Sequence, residues 1–255
     1  MAAAGDLHCR DIDHGRFRQF VKQVNEEADL LLLCGDLTDH GKVDEARVLA
    51  EELSALRVPA CAVLGNHDYE CGKEQDLMHE LQKVGVRCLD GDSYVFQKVL
   101  GIAGVKGFGG GFGRGALQAF GEPQTKAFVQ EAVNESLKLE RALGRLDLPK
   151  KLVIMHYSPI PATIVGENPE IYSFLGSSRL MMPIDGYGAD AVFHGHAHHG
   201  TIQGTTDKGV PVFNVAMPLL QRVRNRRFYV FRIDRPSIEE TEFSARGEGA
   251  VAVGP

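Results

Sequence analysis

Residues 30–39 read LLLLCGDLTD and join an apolar run directly to a glycine and two carboxylates. An unbroken apolar run of this length is typical of a strand that is buried on both faces, as in a parallel sheet. Because glycine allows a sharp change in backbone direction, Gly35 brings Asp36 and Asp39 to the end of that strand. This stretch therefore predicts a sheet with acidic side chains at the carboxyl end of one strand.

Four other places in the chain repeat this arrangement, in which a short apolar or small-residue run ends in polar side chains. Residues 2–5 lead into Asp6 and His8, and residues 62–64 lead into Asn66 and His67. Residues 152–155 lead into His156, and residues 191–193 lead into His196 and His198. In open α/β sheets the carboxyl ends of parallel strands share one edge, where ligands bind. We therefore expect the five polar clusters to meet in one site.

Helical and strand patterns alternate along most of the chain. Helices are predicted at 44–56, 73–84 and 124–146, and strands at 94–105 (two runs broken by Gly101), 151–155 and 189–193. After His199 only short strands are predicted, at 210–215, 227–233 and 238–243. This order predicts a sheet that begins parallel and gains antiparallel strands, within a single domain over residues 1–245. Residues 246–255 are predicted to be a flexible tail.

The composition argues against several classes of protein. A formal net charge of −6 disfavours a protein that coats nucleic acid, which would need a basic face. The longest aliphatic run, residues 30–33, is far too short to cross a membrane, and no signal peptide is recognisable at the N-terminus. Five cysteines without a C-x-x-C pair disfavour both a disulfide framework and a cysteine zinc site. These features predict a cytoplasmic protein.

The polar clusters contain carboxylates, an amide and imidazoles but no thiolate. Ligands of this kind suit Mn²⁺, Fe or Zn²⁺, and the lack of sulfur argues against a structural zinc site. Asp6 and His8 lie two residues apart, as do His196 and His198, so each pair projects to one side of an extended segment. So many candidate ligands predict two divalent or mixed-valence metal ions rather than one. Two ions about 3.5–4 Å apart can clamp a phosphoryl group and activate a bridging water.

In these motifs the sequence resembles the calcineurin-like metallophosphoesterases. The family has five motifs in a fixed order, and each is present here. D-x-H matches Asp6/His8, G-D-x-x-D matches Asp36/Asp39, and G-N-H-[DE] matches Asn66/His67/Asp68. The single H matches His156, and G-H-x-H matches His196/His198. The resemblance spans residues 6–199 and implies a four-layer αββα sandwich of two mixed β-sheets flanked by helices. One departure lies before Asp6, where residues 1–5 stand in place of the family's usual β-branched run. We therefore expect a short first strand of small residues.

The resemblance also implies a role for each residue of the site. Asp6, His8 and His198 would bind one metal ion, Asn66, His156 and His196 would bind the other, and Asp36 would bridge the two. His67, with its ring oriented by Asp39, would lie over the substrate phosphate beside Asn66 and protonate the leaving group as general acid. A hydroxide held between the ions would attack phosphorus in line.

These ligands are shared by enzymes that cleave phosphomonoesters and phosphodiesters, so both activities stay open. His40 and Gly41 follow the G-D-x-x-D motif, where some protein phosphatases carry an arginine. This difference favours a small phosphodiester, such as a cyclic nucleotide, over a phosphomonoester or a phosphoprotein. A nuclease would need a further nucleic-acid-binding domain, and a catalytically inactive scaffold would have lost part of the site. The sequence makes no prediction about oligomeric state.

Two further segments carry weaker signals. Residues 104–115 contain seven glycines, but the G-x-G-x-x-A at 111–116 lacks the acidic ribose ligand of a dinucleotide-binding fingerprint. We expect a mobile loop there, either bordering the substrate through Phe108, Phe112 and Arg114 or serving only as a connection. Six arginines between residues 222 and 235 could bind a phosphate-rich partner, but we favour a solvated edge strand. His194 and His199 flank the G-H-x-H motif and are not assigned as ligands.

Overall fold

The computed structural model describes residues 1–233, and the strands of this part form two sheets. In chain order the strands are β1 (Ala2–Ala4), β2 (Leu31–Cys34), β3 (Ala60–Val63), β4 (Val86–Cys88), β5 (Asp92–Phe96), β6 (Leu100–Gly104), β7 (Lys150–Ile154), β8 (Ala191–His194), β9 (Gln203–Thr205), β10 (Pro211–Asn214) and β11 (Tyr229–Val230). The first sheet has the order β11-β1-β2-β3-β4, in which only β11 is antiparallel to its neighbour. The second has the order β5-β6-β7-β8-β10-β9, with four parallel strands between two antiparallel edge strands. Both sheets are therefore mixed.

Helices cover the outer faces of the two sheets. Within residues 1–233 the α-helices are α1 (Arg18–Glu27), α2 (Val43–Leu53), α3 (Glu74–Lys83), α4 (Pro123–Gly144), α5 (Tyr172–Leu175), α6 (Ser178–Tyr187) and α7 (Met217–Arg224). Short 3₁₀ turns lie at His67–Tyr69, Gly113–Gly115, Pro161–Ile164 and Pro169–Ile171. The longest helix, α4, begins at a proline, whose missing N–H would have had no partner in the first turn.

Three apolar cores separate four layers. Phe20, Leu49 and Leu81 of α1, α2 and α3 pack on one face of the first sheet. Leu139 of α4 and Ile184 of α6 pack on the outer face of the second sheet. Between the sheets lies a third core that includes Leu32, Val63, Ile102, Ile154 and Phe193. The predicted αββα sandwich is confirmed.

Residues 30–34 explain how one apolar run serves two of these cores. Leu31 and Leu33 face the helices, whereas Leu30, Leu32 and Cys34 face the second sheet. The prediction of a strand buried on both faces is therefore confirmed, because alternate residues of a strand project to opposite sides.

The first strand is short and consists of three alanines, as expected from residues 1–5. All three are fully buried, and they pair with β2 on one side and β11 on the other. Small side chains suffice here because β1 lies inside the first sheet and is covered on both faces. Asp6 thus follows a strand that is hydrogen-bonded on both edges.

The C-terminal third departs from the sequence-based prediction. Residues 217–224 form helix α7, where only strands were predicted, so Arg222 and Arg224 lie on a helix and not on an edge strand. The strand predicted at 227–233 shrinks to the two residues of β11. This eight-residue helix was not predicted because it is too short to show a clear apolar period among its arginines. Helices α1, α5 and α6 and strands β4 and β9 were also not predicted.

Some predictions fall outside the described residues. These are the strand at 238–243, the tail at 246–255 and the extension of the domain from 233 to 245. In the described part of the chain, no helix is both long and apolar enough to cross a membrane.

Candidate metal centre

The polar residues that follow five strands meet at one edge of the sandwich. Asp6, Asp36 and Asn66 follow β1, β2 and β3 of the first sheet, and His156 and His196 follow β7 and β8 of the second. Possible metal-binding atoms fall into three groups, each within 4.8 Å: Asp6, His8 and His198; Asp36, His156 and His196; and His8, Asp36 and His67. The predicted convergence is confirmed, and these clusters are able to bind metal ions.

The first cluster contains a histidine whose two ring nitrogens make no hydrogen bond. Nδ1 and Nε2 of His8 are both buried and make no hydrogen bond. Burial lowers the pKa of His8, so its ring is neutral and offers a lone pair. Asp6 Oδ1 lies 2.9 Å from His198 Nε2, which completes the cluster. A cation bound here would satisfy a buried polar atom that otherwise carries an energetic cost.

In the second cluster two imidazole nitrogens face each other. His156 Nε2 lies 3.1 Å from His196 Nδ1 and 2.9 Å from Asn66 Oδ1. The opposite ring nitrogens donate to main-chain carbonyls, His156 Nδ1 to Cys34 O at 3.0 Å and His196 Nε2 to Phe174 O at 3.1 Å. Because a carbonyl can only accept, those nitrogens carry protons, so His156 Nε2 and His196 Nδ1 are the ring atoms left to bind a cation. Two ring nitrogens that converge with an amide oxygen fit a cation, which would displace the proton that His156 Nε2 otherwise holds.

The charge of Asp36 controls protonation in this cluster. Burial by itself would lower the pKa of His156, but the nearby Asp36 carboxylate raises it to about 9. Burial and the neighbouring His156 lower the pKa of His196 to about 3. His156 therefore holds a proton near neutral pH at the position that a metal ion would otherwise take. A site that attracts a proton so strongly also attracts a metal cation.

The thiols close to the site are not suitable ligands. Cys9 and Cys34 are buried, and burial raises the pKa of Cys9 to about 12 and that of Cys34 well above its usual value. Metal ions bind the thiolate rather than the thiol. The donor set therefore consists of oxygen and imidazole nitrogen, as the sequence predicted, and it fits Mn²⁺, Fe or Zn²⁺.

Four of the candidate ligands have strained backbones. The φ angles of Asp6, His8, Asp36 and His196 lie between 45° and 70°, a region that L-residues rarely adopt. Each such residue costs about 1–2 kcal/mol relative to an ordinary conformation. In exchange, the chain turns back at the end of the strand and brings Asp6 and His8 into one cluster, without the extended segment that the sequence predicted there.

Glycines beside the ligands allow close approach of neighbouring turns. A Cβ on Gly65 would overlap the Asp36 carboxylate, and a Cβ on Gly195 would overlap the Asp6 carboxylate. A Cβ on Gly35, which has φ of +82°, would meet the His156 ring at 2.5 Å. The expectation that Gly35 permits a sharp turn is confirmed, and Gly65 and Gly195 permit close approach in the same way.

His67 lies beside Asp36, but its contact with Asp39 differs from the one expected. His67 Nδ1 donates to the main-chain carbonyl of Asp39 at 2.6 Å. The Asp39 carboxylate lies 3.5 Å from His8 Nδ1 instead. His67 Nε2 lies 3.9 Å from Asp36 Oδ2, and the ring is partly exposed at the mouth of the site. Asp39 therefore contacts His67 through its main-chain carbonyl. Because every residue has such a carbonyl, the sequence could not indicate this contact.

Asp68 is a residue of the site that the sequence analysis left without a role. Its buried carboxylate accepts hydrogen bonds from Leu37 N, Thr38 N, Thr38 Oγ1 and Gly65 N, at 2.6–3.1 Å. These bonds join the turn after β2 to the turn after β3. Burial, reinforced by the charge of Asp36, raises the pKa of Asp68 to about 6. The position of Asp68 in the G-N-H-D motif is the feature of the sequence that could have indicated a role for it.

The glycine-rich segment 104–115 is held by hydrogen bonds rather than forming a free loop. Gly110 N and Gly111 N donate to Ser173 O and Gly176 O, and Lys106 O accepts from His156 N at 2.9 Å. A Cβ on Gly109 would meet Ser173 O at 2.6 Å, so glycine is needed where the two backbones touch. Phe108 packs on Tyr157, Phe112 packs beside Leu175, and Arg114 is exposed.

The two flanking histidines stay outside the three clusters. His194 is fully buried, and its ring lies 2.8 Å from Gly195 O and 2.8 Å from Thr163 Oγ1. Burial lowers the pKa of His194 to about 4, so it is neutral. His199 is tied by its backbone N–H to Glu167 Oε1.

Comparison with known proteins decides the family. The calcineurin-like phosphoesterase family matches residues 1–200, which include every candidate ligand. The chain belongs to this family. Calcineurin-like phosphoesterases use a dinuclear metal centre to hydrolyse phosphoesters, and the clusters described above lie where such a centre is expected. No curated protein matches this phosphoesterase in sequence.

Several solved structures share the fold of this phosphoesterase. Phosphopantetheinyl hydrolase PptH from Mycobacterium tuberculosis is 16% identical over 91% of this chain and 95% of its own, with a TM-score of 0.67. The protein TT1561 of Thermus thermophilus is 18% identical over 84% of this chain and 87% of its own, with a TM-score of 0.52. A putative 5′-nucleotidase from Staphylococcus aureus is 13% identical over 84% of this chain and 47% of its own, with a TM-score of 0.50. At these identities the likeness establishes the fold alone.

Proposed function

We propose that this phosphoesterase hydrolyses small phosphodiesters by means of two metal ions bound at the edge of the two sheets. The observation that carries the proposal is the central position of Asp36. Its Oδ1 lies 3.3 Å from His156 Nε2, and its Oδ2 lies 3.9 Å from His8 Nε2. A carboxylate placed between two sets of imidazoles suits a bridging ligand. The ions, when bound, would supply an activated water and hold the phosphate oxygens.

The proposed ligands divide into two sets around Asp36. Asp6, His8 and His198 would hold one ion, and Asn66, His156 and His196 would hold the other. The contact of 2.9 Å between Asn66 Oδ1 and His156 Nε2 supports the inclusion of the amide. Manganese, iron and zinc all fit this mixture of oxygen and nitrogen.

His67 is proposed as the general acid. Because Asp39 O can only accept, Nδ1 of His67 keeps its proton, and Nε2 is the atom that gains and releases one. As the ester P–O bond breaks, the leaving alkoxide would take this proton from Nε2. Asn66 lies next in sequence and would contact the phosphate beside His67.

Replacement of His67 by alanine tests this role. We expect His67→Ala to keep its metal content but to lose about 10²–10⁴-fold in kcat on a diester with an alkyl leaving group, which needs a proton. The loss on bis(4-nitrophenyl) phosphate should be much smaller, since 4-nitrophenolate leaves without protonation. His79→Ala, at an exposed position of helix α3, is the matched control. An equal loss on both substrates would contradict the acid role.

The surroundings of Asp39 support a diester over a monoester. His40, which follows Asp39, is held by Glu70 through a contact of 3.2 Å from its Nδ1, and no arginine stands at this position. A diester carries one negative charge at the scissile phosphate, whereas a monoester carries up to two near neutral pH. The diester therefore needs fewer cations there.

All five cysteines are free, which supports a reducing, cytoplasmic setting as part of the proposal.

The deciding experiment compares two chromogenic substrates with Mn²⁺ added. We expect a higher kcat/KM for bis(4-nitrophenyl) phosphate than for 4-nitrophenyl phosphate. A clear preference for the monoester would establish the alternative, a phosphomonoesterase. Failure to turn over either substrate in a metal-loaded preparation would count against hydrolysis of small phosphodiesters.

A further inference from the structure

Two arginines contact the main chain of the histidines in the first metal cluster. Arg222 Nη2 donates to His198 O at 2.9 Å, and Arg16 Nη1 donates to His8 O at 3.1 Å. The rings of His8 and His198 stand edge to face, with centroids 5.4 Å apart. Each guanidinium group therefore lies next to the main chain of a residue of the first cluster.

Helix α7 is placed so that Arg222 reaches this position. The helix begins beside the end of β1, where Met217 N donates to Gly5 O at 2.9 Å, one residue before Asp6. Arg222 lies in the last turn of α7. Cations in the last turn of a helix are favoured by the helix dipole, which accounts equally for Arg222 and Arg224. The dipole does not account for the bond from Arg222 to His198.

The arginines of this region differ in whether an acidic side chain neutralises them. Arg16 pairs with Asp13, and Arg226 pairs with Glu27. For Arg222 and Arg224, residues 1–233 provide no acidic partner. Arg222 is exposed, and the bond to His198 O uses one of its five N–H donors. Within the described residues, Arg222 is therefore a guanidinium without an acidic partner beside the candidate metal centre, in a chain whose net charge is −6.

We infer that Arg222 binds a second anionic group of the substrate, separate from the phosphate that is cleaved. This inference rests on the proposed function and names the class of substrate: a phosphate ester whose organic part carries a further phosphate or carboxylate. A guanidinium binds such groups through two parallel hydrogen bonds, which gives both affinity and orientation. The site described above holds the scissile phosphate, and the second anion lies on the His8 and His198 side.

Equilibrium binding to the metal-loaded protein tests this inference without requiring turnover. The probes are alkane bisphosphates with two to six carbons between the phosphates, each compared with the alkyl monophosphate of the same length. We expect at least one bisphosphate to bind about 10- to 100-fold more tightly than its monophosphate. A parallel series of ω-carboxyalkyl phosphates shows whether the second group is a carboxylate or a phosphate.

Variants of two arginines on α7 locate the contact. Arg222→Gln should abolish the gain from the second anion, and Arg222→Lys should keep part of it, because lysine retains the charge but not the fork. Arg224→Gln, on the same helix and also without an acidic partner in residues 1–233, should keep the full gain. Metal content is measured for every variant, so that a disturbance of His198 is recognised directly.

The possible outcomes separate this inference from the proposed function. No gain from any second anion in the wild-type protein overturns the subsite, as does a gain that persists in Arg222→Gln. Hydrolysis of bis(4-nitrophenyl) phosphate in either of those cases leaves the proposed function standing. A gain that depends on Arg222, without hydrolysis of any diester, supports the subsite and counts against the proposed reaction.

Discussion

The Asp36 carboxylate occupies the space that a side chain at position 65 would need. A Cβ on Gly65 would overlap both the carboxylate and the main-chain nitrogen of Asp36. Asp36 cannot move away easily, since its Oδ1 also accepts a hydrogen bond of 2.9 Å from His67 N. One missing methyl group therefore determines where the proposed bridging ligand stands.

Gly65→Ala should displace Asp36 and weaken both metal sites together. We expect the purified variant to contain less than half of the wild-type metal and to lose at least about 100-fold in kcat, as misplacement by an ångström can do. Elemental analysis and the rate on bis(4-nitrophenyl) phosphate measure these effects. Gly115→Ala is the control, because nothing lies within 4 Å of the Cβ it would add. Full metal content in Gly65→Ala would show that Asp36 does not depend on this space.

At the scale of elements, a buried carboxylate joins two turns that follow neighbouring strands. Asp68 accepts from three main-chain N–H groups and one hydroxyl, which belong to the turns after β2 and β3. The same turns carry Asp36 and Asn66. The spacing of these two proposed ligands is therefore set by Asp68, which itself contacts no group of the substrate.

Asp68→Asn should reduce stability and impair metal binding together. The amide of asparagine places N–H donors against main-chain N–H donors, which leaves buried donors unpaired. This lowers the free energy of unfolding by about 3 kcal/mol. Removal of a negative charge near Asp36 offsets part of that loss. Urea unfolding of the metal-free protein at pH 7.5 measures the loss. Asp207→Asn, on an exposed turn, should change the free energy of unfolding by less than about 0.5 kcal/mol. An unchanged midpoint for Asp68→Asn would rule out this structural role.

At the scale of the whole molecule, the candidate metal centre draws its residues from both sheets. Asp6, Asp36 and Asn66 belong to turns of the first sheet, and His156 and His196 to turns of the second. His196 N also donates to the Asp6 carboxylate at 3.0 Å, across 190 residues. Bound ions would therefore link the two halves of the sandwich as well as serve the reaction.

Removal of metal should lower the thermal stability of the protein without unfolding it. An ion present at 100 times its Kd contributes about 2.7 kcal/mol, which corresponds to a fall in Tm of about 5–10 °C for a chain of this size when the ion is chelated. Differential scanning calorimetry with and without EDTA measures the change, and added Mn²⁺ should restore it. Asp36→Asn should show little response to EDTA. A wild-type Tm that is independent of EDTA and Mn²⁺ would contradict metal binding between the sheets.

Local patterns predicted much of this architecture. The runs at 30–34, 62–64 and 151–155 lie in or at the end of strands, because an apolar run ended by glycine or histidine is a signal contained within a few residues. Helix α4 was predicted at 124–146 and lies at Pro123–Gly144, since its apolar stripe repeats over about six turns. Helix α7 was missed because its eight residues cover only about two turns, too few to establish a period.

The sequence by itself determined which residues could bind metal and that those of one sheet would meet, because each follows a strand and the parallel strands of a sheet end at a common edge. Only the tertiary structure decided how they are held. The carbonyls of Phe174 and Asp39, which fix the protons of His196 and His67, have no signature in the sequence, since every residue carries a carbonyl. The contact of Arg222 with His198 likewise depends on where α7 packs. Such contacts join distant segments, and only folding brings those segments together.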